Sequence, residues 1–180
     1  MRASLYLINK YFWKSPLMIV FSFVVPILFI VTACLVWSIL NTIQPILIMP
    51  AISYIPIVCI SLVVMPMMIF NFKNSQVLRR MNNSNVSVYN FIFVFIVVFT
   101  ALMFVSYFFC LSLATFVFIK NDAVLATWKT ANWGNILYTM LLVILMSSSI
   151  GITVGLLAKS AVVVQIITIT ILMLTAFLGF

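Results

Sequence analysis

Residues 91–119 of this chain are FIFVFIVVFTALMFVSYFFCLSLATFVFI, a stretch without one charged side chain. A helix needs about 20 consecutive apolar residues to cross the ~30 Å hydrocarbon core of a bilayer. This stretch is longer than a perpendicular crossing requires, so we expect its helix to be tilted or to emerge past one interface. The sequence therefore predicts a membrane-spanning helix here.

The composition extends this prediction to the whole chain. Of its 180 residues 67% are hydrophobic and 6% are charged, whereas about a quarter of the residues of soluble domains are charged. The net charge of +8 comes from nine Lys and Arg against a single acid, Asp122. Because these cations stand at the edges of apolar runs, they indicate topology and contact with anionic lipid, and no nucleic-acid partner is expected.

The predicted fold is an all-α polytopic membrane helix bundle with an N-terminal interfacial helix. We place the interfacial helix at residues 1–15, the transmembrane domain at 16–180 and a cytoplasmic loop at 73–90. Five apolar runs are long enough to span a bilayer. They are residues 17–40, 51–72, 91–119, 135–158 and 161–180.

Orientation follows from the cations in the short connections, because Lys and Arg are retained on the cytoplasmic side. A cytoplasmic N-terminus keeps seven of the nine cations inside. These are Arg2, Lys10, Lys14, Lys73, Arg79, Arg80 and Lys159. The sequence thus predicts a multi-pass protein of the cell membrane, and we expect a bacterial plasma membrane.

The residue types that carry most chemistry are missing. The chain has no His and no Glu, and Asp122 lies outside every apolar run. Ion relays through a bilayer need carboxylates or histidines within it, and acid-base catalysis and metal ligation use the same side chains. We therefore predict no enzyme activity, no catalytic residue, no metal site and no bound cofactor, so any energy source must be another polypeptide.

Small and polar residues mark helix faces in the last two runs. Ser147, Gly151 and Gly155 recur every four residues, a small-xxx-small stripe that predicts close packing against another helix. In the last run, three polar residues either line a pathway or bond across a helix interface. They are Gln165, Thr168 and Thr170.

Prolines and a cysteine leave further alternatives open. Pro26, Pro56 and Pro66 lie within the first two runs, where each is either an ordinary tolerated kink or a hinge. Cys34 follows a small-residue pattern similar to the one before the lipid-modified cysteine of bacterial lipoproteins. The apolar run around it exceeds the ~7–15 residues of a signal sequence, which argues against that interpretation.

The segment before the first run is amphipathic. Leu5, Ile8 and Phe12 share one helical stripe, and Lys10 and Lys14 lie on the other side, as in a helix lying along the inner leaflet. A cap by Ser15 and a helix start at Pro16 predict a sharp corner into the first span. The alternative is a charged lead-in that only orients the span.

A second amphipathic segment lies in NFKNSQVLRRMNNSNVSVYN, residues 71–90. With Ser75 as N-cap, Val77, Leu78 and Met81 would share one helical arc, and Arg79 and Arg80 the other. A helix of about two turns is unstable alone in water, so it would need a surface to bind. The alternative is that the two arginines only hold the loop inside.

This order of elements resembles the type-two permease family of ABC exporters. Residues 78–81, LRRM, are similar to the family's leucine, basic, basic, leucine core. Residues 151–180, GITVGLLAKSAVVVQIITITILMLTAFLGF, are similar to its passage from the fourth to the fifth span. The chain departs from the family by having Asn74, Ser75 and Gln76 where a glutamate and a glycine are usual, and no proline after the core. It also stops at the fifth span of a usual six, as in a shortened or truncated member.

The resemblance implies a coupling helix that docks into a separate ATP-binding cassette subunit. Its residues would be Val77, Leu78, Arg79, Arg80 and Met81. A second permease subunit, identical or related, would complete the pathway. ATP would bind the partner, because the phosphate-loop pattern G-x-x-x-x-G-K-[ST] is absent here. Two alternatives are a substrate-capturing membrane subunit of a vitamin or metal uptake transporter, and a non-transporting interaction or immunity protein.

Overall fold

The computed structural model describes residues 2–40, 54–75, 88–117 and 132–178, which form six helices and, within these ranges, no strand. The all-α prediction is confirmed for this part of the chain. The helices are α1 (Arg2–Lys14), α2 (Pro16–Ile19, Val20–Val24 and Val25–Leu40 in succession), α3 (Tyr54–Asn74), α4 (Val88–Val117), α5 (Trp133–Leu157) and α6 (Ala161–Leu178).

Three helices are long and apolar enough to cross a membrane: Tyr54–Asn74, Tyr89–Leu113 and Trp133–Leu157. A fourth candidate combines Leu5–Lys14 with Pro16–Thr32, two helices that meet at 91°. The apolar stretch Ala161–Thr175 of α6 is shorter than the other candidates. The described residues thus support three to four spans, and the count of five stays a prediction.

The corner expected between α1 and α2 is present at Ser15. This residue is extended, with φ −101° and ψ 104°, and Pro16 follows in the first turn of α2. The prediction that the Ser15 side chain caps α2 is wrong, because its hydroxyl makes no cap bond. Its carbonyl oxygen instead accepts from the Met18 and Ile19 N–H groups at 3.1 and 3.4 Å. The fixed φ of proline already suits a helix start, which reduces the need for a side-chain cap.

The apolar stripe of α1 packs against the protein itself. Ile8 and Phe12 are buried in the main core, and the Tyr11 ring lies 5.1 Å from that of Phe72 on α3. Leu5, predicted on the same stripe, is 52% exposed. Two of the three stripe residues, Ile8 and Phe12, are therefore covered by the other helices, and Leu5 remains exposed.

Two of the prolines follow a widened turn. Val20–Val24 before Pro26 and Ile60–Val64 before Pro66 are π-helical. The N–H groups of Val25 and Met65 donate to carbonyls five residues back. A proline ring collides with the carbonyl four residues before it, and the wider turn moves that carbonyl away. The two π-turns pack against each other, so the widened turns of α2 and α3 share one contact.

Helix α3 is the centre of the bundle. In its most apolar stretch 72% of the residues are buried, against 39% in α4 and 22% in α5. Aromatic rings link it to α4, with centroid distances of 5.1 Å for Phe72 to Phe91 and 6.3 Å for Phe72 to Phe95. The main core is made of large apolar side chains from α1 to α5.

We predict that Phe99→Ala destabilises the bundle and that Phe93→Ala does not. Phe99 is fully buried, whereas Phe93 on the same helix is 59% exposed. In a membrane the cost is the lost packing, because a lipid-exposed Phe is also in an apolar environment. We expect about 1–3 kcal/mol, less than the ~3–5 kcal/mol of a water-soluble core. Unfolding of both variants in mixed micelles measures this, and equal losses would contradict the assignment of the α4 faces.

Candidate functional site

Five helix ends meet at one end of the bundle, which we call the basic end. They are α1, the last turn of α3, the first turn of α4, the last turn of α5 and the start of α6. Ring contacts tie α1 and α4 to Phe72 of α3, and the Lys73 side chain ties α3 to α5. The connection 76–87 begins and ends here, because it joins α3 to α4.

All charged residues within the described ranges belong to this end. They are Arg2, Lys10, Lys14, Lys73 and Lys159. Each is a cation, and the one acid of the sequence, Asp122, lies outside the described residues. Lys10 lies over the Tyr6 ring at 5.8 Å from its centroid. The basic end therefore carries positive charge that no carboxylate within the described ranges offsets.

Lys73 joins α3 to α5. The helix α3 continues through Lys73 to Asn74, beyond the end of the predicted run at 72. The Lys73 Nζ donates to the carbonyl oxygens of Leu156 at 2.6 Å and Ala158 at 3.4 Å. These carbonyls end α5, where a cation is favourable because the helix dipole is negative there. Sequence analysis used Lys73 only for orientation, and its partners lie more than 80 positions away.

The five residues predicted to couple to an ATPase lie outside the described residues. They are Val77, Leu78, Arg79, Arg80 and Met81. Ser75, just before them, ends α3: its N–H donates to the Asn71 carbonyl at 2.8 Å and its hydroxyl to the Phe72 carbonyl at 3.2 Å. These bonds fix the point at which the connection leaves the bundle.

The small-residue stripe of α5 lies against α3. Ser147, Gly151 and Gly155 are all buried. A Cβ on Gly151 would overlap the Ser61 carbonyl oxygen, and one on Gly155 would lie 2.8 Å from the Pro66 carbonyl oxygen. The Ser147 hydroxyl donates within its own helix to the Val143 carbonyl at 2.6 Å. The stripe thus brings α5 onto the π-turn and proline of α3.

The polar residues of α6 do not share one face. Thr168 is buried and its hydroxyl donates to the Gln165 carbonyl at 3.2 Å, whereas Thr170 is exposed. Gln165 is half-buried. On either side of Thr168, Val164 packs against Phe70 and Leu172 packs near Cys59 and Val63. Thr168 therefore lies on the face of α6 that contacts α3, a packing position.

A polar contact at the opposite end was not predicted. The Tyr54 hydroxyl and the Thr139 hydroxyl lie 2.7 Å apart and join the first turn of α3 to the second turn of α5. Both residues stand near the ends of apolar runs, where a polar side chain is ordinary, so the sequence carries no signal that pairs them. This bond joins α3 to α5 at one end of the pair, and the Lys73 bonds join them at the basic end.

The side chains of the described residues provide packing contacts and positive charge, and few of them are chemically reactive. Among them, no three His, Cys, Asp or Glu side chains gather where they could hold a metal ion. Cys59 and Cys110 are both buried and unbridged. What these helices present is a positively charged end and a tightly packed pair of central helices.

Comparisons with protein-family models, with curated proteins and with solved structures find no match for this chain. The resemblance to ABC exporter permeases therefore stays a prediction.

We predict that Gly151→Ala destabilises the protein, although alanine favours a helix over glycine by about 1 kcal/mol. The added methyl group would collide with the Ser61 backbone, which cannot rotate away as a side chain can. Separating the two helices costs about 1–3 kcal/mol of packing. A lower melting temperature in detergent is the expected result.

Gly134→Ala on the same helix is the matched control. Its methyl group would meet only the Asn132 side chain at 3.4 Å, an ordinary contact. We expect this variant to melt at or above the temperature of the unmodified protein. A Gly151→Ala protein as stable as the control would show that α3 and α5 do not touch there.

Proposed function

We propose that this chain is a transmembrane permease subunit of an ATP-driven ABC transporter, with export as its direction. The observation that carries the proposal is the position of the connection 76–87. It leaves and re-enters the bundle at the end that also holds α1 and all described lysines. A docking segment for a cytoplasmic ATPase must emerge on the cytoplasmic side, and clustered lysines favour that side.

In this proposal, residues 73–83 couple the chain to a separate ATP-binding cassette subunit. The apolar side chains of Val77, Leu78 and Met81 would fill a groove of the partner. Arg79 and Arg80 would meet acidic groups at its rim, where charge sets orientation and association rate. ATP would be bound and hydrolysed by the partner, and this chain would hold no cofactor and catalyse no reaction.

The position of α3 supports a mechanical role for the connection. This central helix ends at Asn74, immediately before the connection, and the connection continues into α4. A push on residues 76–87 would therefore act on the ends of two helices, one of them the centre of the bundle. The close contact of α3 with Gly151 and Gly155 would carry the movement to α5.

The proposed assembly contains two permease subunits, identical or related. The buried polar side chains in the described part of this bundle are few. They are Ser22, Ser61, Ser106, Ser147 and Thr168. Hydroxyls scattered over five helices do not line a polar channel within one subunit, so we place the pathway between two subunits.

The proposed membrane arrangement has five spans and a cytoplasmic N-terminus in a bacterial plasma membrane. The helix α1 would lie along the inner leaflet, at 91° to α2. Its exposed Tyr6 and Trp13 would sit at the interface, where amphipathic rings are enriched, and its lysines would contact anionic headgroups.

Topology can be tested with single cysteines. In a chain whose three native cysteines are replaced by alanine, Asn74→Cys at the basic end and Asn132→Cys before α5 are both exposed positions. We expect a membrane-impermeant maleimide to label Asn132→Cys in intact cells, and Asn74→Cys only after permeabilisation. The reverse pattern would place the basic end outside the cell and end the proposal.

Coupling can be tested by co-purification. We expect Leu78→Asp and the double variant Arg79→Asp/Arg80→Asp to lose the cassette subunit that co-purifies with the unmodified chain. A buried apolar anchor or a paired charge each contributes about 2 kcal/mol or more at an interface, a loss of at least about thirtyfold in affinity.

The control is Asn85→Asp, which adds a negative charge to the same connection outside the five coupling residues. We expect it to retain the partner. Equal retention by all three variants, or a purified complex without any ATPase subunit, would refute the proposal.

A further inference from the structure

A lateral groove opens between α4 and α5 at the basic end, with α3 as its floor. Both helices flank α3 but share no extensive interface with each other along their described lengths. The groove encloses about 280 Å³, close to the lower limit of ~300 Å³ for small-molecule pockets. It is lined by Ile69, Phe72, Lys73, Phe91, Ile92, Phe95, Ile96, Ile152 and Leu156.

The walls of the groove are hydrocarbon apart from one residue. Eight of its nine lining residues are apolar, and the ninth is Lys73 at the end of α3. Ile92 and Ile96 on α4 and Leu156 on α5 are also exposed to the outside of the bundle. The groove is therefore open sideways, and in a membrane its opening would face the acyl chains.

Lys73 keeps an unsatisfied charge at the mouth of the groove. Its ammonium group has three N–H donors, and two of them are taken by the carbonyls of Leu156 and Ala158. Both acceptors are neutral carbonyl groups, so neither carries a formal negative charge that would neutralise the lysine. Among the described residues no third acceptor or counter-charge is recorded for Lys73, which leaves one N–H and the charge of the lysine for an anion.

The one acidic side chain of this sequence cannot reach Lys73. The only acid, Asp122, follows the far end of α4, a helix of 30 residues and hence about 45 Å in length. The five residues from Val117 to Asp122 extend at most about 18 Å. A carboxylate or phosphate group that pairs with Lys73 would therefore belong to another molecule.

We propose that this groove binds an acyl chain of an anionic phospholipid, whose phosphate pairs with Lys73. An acyl chain has no polar atoms along its length, so the apolar walls leave none of its groups unsatisfied. A helix about 10–12 Å across would not fit in the enclosed volume. Lys73 is the one cation among the lining residues, so the headgroup of a lipid bound in this orientation would lie beside it. The inference requires membrane insertion but not coupling to an ATPase.

The test is native mass spectrometry of the full chain released from mild detergent with three probes. These are dioleoyl phosphatidylglycerol, dioleoyl phosphatidylcholine and glycerol 1-phosphate. We expect phosphatidylglycerol to bind more tightly than phosphatidylcholine, and glycerol 1-phosphate not to bind. Lys73→Gln should weaken phosphatidylglycerol binding about fivefold, the factor for one cation near an anionic headgroup, and Lys73→Arg should restore it.

Two pairs of variants distinguish lipid binding in the groove from nonspecific electrostatic attraction to the protein surface. Lys10→Gln removes an exposed cation from α1 that does not line the groove, and we expect it to weaken phosphatidylglycerol binding less than Lys73→Gln does. Ile96→Trp should fill the groove and reduce binding of the lipid at least fivefold. Val97→Trp, at a neighbouring position that is exposed but does not line the groove, should not.

Several outcomes would overturn the inference. Equal binding of both phospholipids would show that the headgroup charge plays no part, and binding of glycerol 1-phosphate would show an anion site without a chain. Equal losses in Lys73→Gln and Lys10→Gln would show diffuse attraction. If Ile96→Trp does not fold, the comparison of Lys73→Gln with Lys73→Arg decides, and failure of arginine to restore binding refutes the role of the charge.

Discussion

The contact between α3 and α5 is the constraint on which the rest of the bundle depends. Lipid is as apolar as a leucine side chain, so helices in a membrane are held by close packing and by a few polar bonds. This pair has both kinds of contact. Gly151 and Gly155 bring the backbones together, while the Tyr54 to Thr139 bond and the Lys73 cap fix the two ends. The other helices then pack around α3.

Pro66 of α3 leaves the Ser61 carbonyl without its backbone donor, and Gly151 of α5 packs against that carbonyl. In the π-turn, Met65 donates to Ile60, so the Ser61 carbonyl would need a donor at position 66, where proline has none. That carbonyl faces Gly151, whose Cα–H points along the direction of the missing side chain. A weak Cα–H···O contact of this kind partly offsets the lost bond. A larger residue at 151 would both collide and leave the carbonyl unpaired.

The sequence predicts the helices well because apolar length and small-residue spacing are local properties. It does not predict which helix is central. The run of α4 has the higher mean hydropathy, yet α3 is more buried, because contact with lipid and contact with protein both favour apolar side chains. For the same reason the partner of the Gly151 stripe could not be named. The bonds of Lys73 and Tyr54 join residues more than 80 positions apart, and no local pattern encodes them.

The π-turn also determines how a movement of the connection would travel, under the proposed function. Below the turn, Met65–Asn74 is held to α5 by Gly155 and Lys73, so this piece would move with the end of α5. Above it, Tyr54 holds the start of α3 to Thr139. The turn between them lacks a backbone bond and is therefore the easiest place for α3 to bend. A push on residues 76–87 would thus swing the basic end of both helices together, while the opposite end of the pair stays clasped.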